Sequence, residues 1–277
     1  MGTSNVKDLT ERHHIEEEFH DKRTQRAATP KTRMAFYASG VNDQHFRILL
    51  DTAGSLAGKK VLDFGCGLGH TSRIYAELGA SHVEGFDISG ENIHVAEKNA
   101  KRDHVEDRVS FRRLAAEDID YPDDSFDVII GKAILHHTDL ERTSKQMARV
   151  LRPGGAAYFL EPLAHNPILN FFRWLTPSRR TPTEKPLRLN DLNIFRRDFD
   201  AVTYRGLYLF PLLANGLLFV TGSRKWFNSS MKTLWRWEQP VLTRLPFLQK
   251  YCWTALLVFR KDPKTGEAQA DGSKSAV

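Results

Sequence analysis

The sequence predicts an α/β fold, a mostly parallel sheet with helices on both faces. Three observations predict it. Short apolar runs alternate with helical segments between residues 60 and 160, a turn bearing Gly65, Gly67 and Gly69 joins the first run to a helix, and Asp87 ends the second run. Strands separated by single helices need crossover connections, which pair them in parallel and place helices on both faces of the sheet.

The elements follow in order. Residues 9–25 read as a charged helix with Ile15 and Phe19 as a thin apolar stripe. Pro30 and the Ser39-Gly40 pair punctuate the chain. Asn42 or Asp43 then caps a helix that carries Phe46, Leu49, Leu50 and Ala53 and stops near Gly58. Strands are expected at 61–64, 83–87, 109–111, 126–130 and 156–160, with helices opening near His70 and Glu91 and another over 139–150. Residues 163–200 are rich in Pro, Arg and aromatics without a clear period and read as an insertion. Two more strands are expected at 203–209 and 251–259, and Phe227, Met231, Leu234 and Trp235 sit between them at helical spacing. The resulting division is an N-terminal helical lid at 1–57, a ligand-binding core at 58–162 and a substrate cap at 163–200. The remainder of the core sheet follows at 201–261, and a polar, disordered tail at 262–277.

Composition narrows the class. With 277 residues, 41% hydrophobic and 27% charged, the chain can bury a core. The longest apolar region, 206–220, is broken by Pro211, Asn215 and Gly216, so no transmembrane helix is expected. The first residues lack the apolar region of a secretory leader, and Cys66 and Cys252 are too few for a disulfide framework or a four-cysteine zinc site. A cytoplasmic location is the expectation. Basic residues (40 against 34 acidic, net +6) gather at 224–261 among Trp226, Phe227, Trp235 and Trp237. A solvated helix face over an aromatic core is the favoured reading there. Peripheral membrane contact stays open, and nucleic acid is the weaker partner. The N-terminal helix also suits docking in a homo-oligomer.

The chemistry concentrates in Val61-Leu62-Asp63-Phe64-Gly65-Cys66-Gly67-Leu68-Gly69-His70-Thr71. Gly65 and Gly67 let a ligand approach the backbone, and Gly69 lets the next helix pack against the sheet. The spacing is G-x-G-x-G, with His70 where a dinucleotide fingerprint wants its third glycine. Asp63, two residues before the first glycine, suits an ammonium group and would repel a pyrophosphate. Asp87, 18 residues past Gly69, is placed to accept ribose hydroxyls. The expected ligand therefore has an adenosine ribose and a cationic amino-acid end.

At this point the sequence resembles the class I S-adenosylmethionine-dependent methyltransferases, most of all the small-molecule branch with the ubiquinone and menaquinone C-methyltransferases. The resemblance rests on Val61 to Gly69, Phe86-Asp87-Ile88-Ser89, Ala116-Glu117-Asp118 with Tyr121 to Asp127, Leu135-His136-His137 and Leu151-Arg152-Pro153-Gly154-Gly155, in the family's order. It implies a Rossmann-like sheet of seven strands whose last is antiparallel. It implies S-adenosyl-L-methionine as cofactor, with Gly65, Cys66 and Gly67 along the methionine moiety, Asp63 nearby and Asp87 on the ribose. Ile88 would pack on the adenine, Ala116 and Glu117 would meet its edge, the Lys132 backbone would touch the cofactor, and Tyr37 would lie on a lid over the sulfonium. Ala115 departs from the Asp common in relatives.

A hydroxyl acceptor also needs a base, and His165, His136 and His137 follow strands at the ligand edge. His13, His14 and His20 lie on the N-terminal helix. No metal site is expected, because adjacent residues at a strand end point apart. The apolar segments 167–175 and 207–220 line a greasy acceptor pocket or belong to the core. The reading is O- or C-methylation of a small, lipophilic or natural-product acceptor. The alternatives are an RNA or protein methyltransferase using the basic region, and a non-catalytic cofactor-binding protein.

Overall fold

A computed structural model describes residues 6–27, 41–176, 181–211, 214 and 221–263. Among them a seven-stranded sheet runs in the order β3-β2-β1-β4-β5-β7-β6. The strands are β1 (Lys60–Phe64), β2 (His82–Asp87), β3 (Val109–Arg113), β4 (Phe126–Lys132), β5 (Leu151–Pro162), β6 (Ala201–Leu207) and β7 (Thr254–Arg260). All pairings are parallel except those of β7 with β5 and β6, as the family resemblance implied. Helices α1 (Val6–Ala27), α2 (Val41–Ala53), α3 (His70–Glu77), α4 (Gly90–Arg102) and α5 (Leu140–Val150) come before or between the first five strands. Helices α6 (Pro167–Leu175) and α7 (Leu192–Phe195) lie in the insertion, and α8 (Arg224–Arg244) precedes β7.

The central strands are apolar on both sides because both faces are covered. Val61, Val83, Val128 and Ile130 point into one buried cluster, and Leu62, Phe64, Phe86 and Ile129 into the other. The strand order reverses between β1 and β4, so their carboxyl ends open a crevice there. Local signals set the helix starts. Ser89 accepts the Asn92 N–H (3.0 Å) at the head of α4, and Asp139 accepts the Arg142 N–H (3.1 Å) at the head of α5.

Several boundaries differ from the sequence reading. Helix α2 ends at Ala53 because Gly54 turns left-handed (φ 71°), before Gly58 is reached. Strand β5 begins at Leu151, ahead of the expected 156. Tyr251, expected to open the last strand, instead ends a 3-10 segment (Pro246–Tyr251), and β7 begins at Thr254. The insertion contains a nine-residue helix, Pro-Ile-Leu-Asn-Phe-Phe-Arg-Trp-Leu, too short to show a clear period in the sequence, whose only polar residues, Asn170 and Arg173, share one face. Asn166 caps it through the Ile168 and Leu169 N–H groups (3.0 and 3.1 Å), with Pro167 as its first residue.

That helix, α6, removes one of the two readings of its segment. It buries none of its residues, so it is not core. Phe171 and Trp174 are 61% and 73% exposed, and Ile168, Phe172 and Leu175 are exposed beside them. Of the 207–220 segment, Leu207, Tyr208 and Ala214 are buried core residues. Among the described residues no helix is long and apolar enough to cross a membrane.

Candidate active site

The glycine turn takes the shape its composition allows. Gly65 and Gly67 have φ of 74° and 53°, a region side chains disfavour. A Cβ at Gly65 would come within 2.9 Å of Ile134, whereas one at Gly67 would meet nothing within 4 Å. The loop is therefore packed from behind and open in front. Cys66 donates its N–H to the Phe86 carbonyl (2.8 Å), and Gly67 donates its N–H to Asp87 Oδ2 (3.0 Å). Asp87 Oδ1 accepts from the Ser89 N–H (2.9 Å) and Asn92 Nδ2 (3.1 Å). Three donors orient this carboxylate, and a carboxylate has about four acceptor positions, so one remains for a ligand hydroxyl.

Asp63 is buried beside it. Its Oδ2 accepts the hydroxyls of Thr71 (2.8 Å) and Ser72 (2.5 Å), which hold it at the head of α3. Burial pushes its pKa up to about 6, against the pull of those two hydroxyls, and the Asp87 charge adds to the rise. Among the described residues neither Asp63 nor Asp87 has an ion-pair partner. Two acids thus flank an open loop, and among the described residues no Lys or Arg side chain pairs with either. Cys66 is buried and its thiol is raised well above the ordinary range by burial, which marks it as a packing residue and no nucleophile.

The end of β4 is shaped by a buried acid. Ala133 takes a left-handed backbone (φ 55°), and the next two N–H groups, of Ile134 and Leu135, point at Glu161 Oε1 (2.8 and 3.0 Å). Glu161 Oε2 pairs with His136 Nδ1 at 2.7 Å. Residues 135–137 form a 3-10 turn, not a strand end, so the rings of His136 and His137 lie 4.1 Å apart instead of diverging. His165 stands in the insertion, where its Nε2 accepts the Leu189 N–H (3.2 Å). Glu117 accepts the Asp139 N–H (2.7 Å) and meets His13 (3.1 Å), and that bond raises the His13 pKa against the lowering effect of burial. Ala116 is buried, Ile88 is half-buried and Lys132 ends β4. Tyr37 lies outside the described residues.

Sequence reasoning missed what α1 contributes. Asp21 accepts from the Ser89 hydroxyl and the Glu91 N–H (3.3 Å), Thr24 donates to Asn92 (2.5 Å), and Glu17 pairs with Arg113. Glu16 approaches His137 at 3.0 Å. The helix thus crosses the carboxyl ends of β2, β3 and β4. Its polar side, which reads as solvent-facing, is the side that touches the core. The i,i+4 pair of Glu16 and His20 was the available signal.

Comparison with known proteins agrees with this geometry. Residues 62–159 match the family model described as a methyltransferase domain. The chain is 41% identical over 100 residues to the 27-O-demethylrifamycin SV methyltransferase of Amycolatopsis mediterranei, covering 36% of this chain and 37% of the relative. It is 32% identical over 163 residues to the ubiquinone biosynthesis O-methyltransferase of Rhizobium etli, covering 53% and 64%. The matches thus span about a third to just under two thirds of the relatives' lengths. The fold is shared with geranyl diphosphate C-methyltransferase from Streptomyces coelicolor A3(2), at a TM-score of 0.61, 14% identity and coverage of 90% of this chain and 98% of that one. Residues 62–159 of this chain are a methyltransferase domain.

Proposed function

We propose that the chain methylates a small acceptor with a substantial apolar part, using S-adenosylmethionine. The observation that carries this reading is the pair Asp63 and Asp87, without an ion-pair partner among the described residues, on either side of a loop whose front, at Gly67, is open. A ligand with a cationic end and a ribose answers both acids. The cofactor supplies an electrophilic methyl group on a sulfonium. The chain's own residues bind and orient. Gly65, Cys66 and Gly67 line the methionine end with Asp63 on the ammonium, Asp87 takes the ribose, and Ile88 covers the adenine. The adenine edge falls to the backbone at Ala116, since both oxygens of Glu117 are committed to Asp139 and His13. The Lys132 backbone borders the same space.

For a hydroxyl acceptor, His136 is the base this reading favours. Glu161 fixes its Nδ1 and so leaves Nε2 to receive a proton. His165 serves to hold the insertion through Leu189, and His137 faces the lid. The relatives named above are small-molecule enzymes, which leaves the nucleic-acid and protein alternatives without support. The exposed apolar helix α6, together with exposed Trp226 and Trp237 on the basic α8, suits an acceptor met at a lipid surface. Calorimetric titration with S-adenosylhomocysteine, repeated on Asp87→Ala, tests the cofactor reading. Binding by the wild type and weaker binding by the variant, about 10- to 100-fold, is expected, and equal binding by both overturns the assignment of Asp87.

A further inference from the structure

One cluster above the crevice has no part in the reading just given. Glu16 and His20 lie one turn apart on α1, so both face the 3-10 turn that carries His137. Glu16 Oε2 is 3.0 Å from His137 Nδ1 and 3.8 Å from His20 Nε2. One ligand atom from each of the three residues lies within 4.8 Å of the other two. The side chain of Glu16 is 4% exposed and that of His137 14%.

The closest contact is an ion-pair approach poorly aligned for a hydrogen bond. Glu16 Oε2 and His137 Nδ1 are both buried and neither has a hydrogen-bond partner, although they approach to 3.0 Å, so they meet out of line. Two ligands on one zinc-like ion, each about 2.0–2.2 Å from it, stand ~3.3 Å apart without pointing at each other. The other carboxylate oxygen, Oε1, is held by the hydroxyls of Thr181 (2.8 Å) and Thr183, which aim Oε2 at the histidines. Ligating carboxylates carry outer hydrogen bonds of this kind.

We propose that Glu16, His20 and His137 form a binding site for a divalent transition-metal ion of the zinc class. Two imidazoles and a carboxylate suit zinc over magnesium or calcium, and three protein ligands leave a coordination position open. The ion joins α1 to the end of β4, and Thr181 and Thr183 join the insertion to the same point. The proposal does not rest on the cofactor reading, because the ligands are separate from Asp63, Asp87 and the glycine loop. A second group, His136, His137 and Glu184, meets the same distance limit and shares His137. Glu161 already occupies one nitrogen of His136, which favours the first group.

The test uses the full chain, stripped with a chelator and dialysed against a trace of zinc, with bound metal counted by elemental analysis. Affinity is then measured by competition with a chromophoric chelator. One zinc per chain is expected, and the cobalt form is expected to show the visible absorption of a four- or five-coordinate site. E16Q, H20N and H137N are expected to lose the stoichiometric ion. Thr183→Val, which keeps all three ligands, is expected to weaken binding about 10- to 100-fold. Circular dichroism and S-adenosylhomocysteine binding report whether each variant is folded. Absence of stoichiometric zinc in the wild type overturns the proposal, as does a folded E16Q that binds like the wild type. Loss of zinc in E184Q but not in E16Q also overturns it.

Discussion

Gly67 donates its backbone N–H to the Asp87 carboxylate at 3.0 Å, so the loop after β1 and the end of β2 are fixed to each other. The same acid orients Ser89 and Asn92 at the head of α4. It therefore shapes the loop as well as facing the crevice. Asp87→Ala is expected to weaken S-adenosylhomocysteine about 10- to 100-fold, the range for losing a hydrogen bond to a charged group. Asp87→Asn, which keeps one oxygen, is expected to fall between. Calorimetry on both variants checks the order.

Asp63 makes stability depend on pH. Its proton is held more tightly in the folded chain, where the pKa is about 6, than in the unfolded one, near 3.8. Its contribution is therefore complete below about pH 4 and is lost as pH rises through about 6, by about 3 kcal/mol. Asp63→Asn removes this dependence. Denaturant melts at pH 4 and pH 7 are expected to shift in favour of the variant as pH rises. A cationic ligand restores wild-type stability at pH 7.

Two glycines in one loop are expected to respond differently. Gly67→Ala meets only the backbone strain of φ 53° and is expected to cost about 1 kcal/mol. Gly65→Ala adds a 2.9 Å approach to Ile134 at φ 74° and is expected to cost about 1–3 kcal/mol more. Equilibrium unfolding of the two variants measures the difference.

Glu161 is fully buried and serves three partners at once, the N–H groups of Ile134 and Leu135 and the His136 ring. Glu161→Ala leaves them without an acceptor and is expected to destabilise the chain by about 3–5 kcal/mol. Glu161→Gln keeps one oxygen for the two N–H groups and is expected to cost less. Thermal melts of both distinguish this anchoring role from a purely electrostatic one.

Helix α6 carries five exposed large apolar side chains and buries none. Sedimentation with anionic phospholipid vesicles is expected to bring the protein down, and Phe171→Ser with Trp174→Ser to leave it in solution. The double variant is expected to bind S-adenosylhomocysteine normally.

The sequence was most readable where contacts are local. Gly65, Gly67, Asp63 and Asp87 could be placed at the strand ends because a strand-turn-helix unit fixes their positions over a few residues, and the parallel pairing followed from strands alternating with helices. The roles of Glu16, Asp21 and Glu161 were not readable. Each depends on a partner far along the chain, such as His137 for Glu16 or Ser89 for Asp21. Helix α6 was missed for another reason. Its polar face is only Asn170 and Arg173 within nine residues, too short a stretch to establish a period, and only the structure shows that its apolar face meets no core.

The central claim is that two acids around an open glycine loop select a cationic nucleoside. Competitive calorimetry of the full chain with S-adenosylhomocysteine and NADH measures that choice directly. One site filled by S-adenosylhomocysteine, with no heat from NADH, is the predicted result. Binding of NADH with silence towards S-adenosylhomocysteine would contradict it.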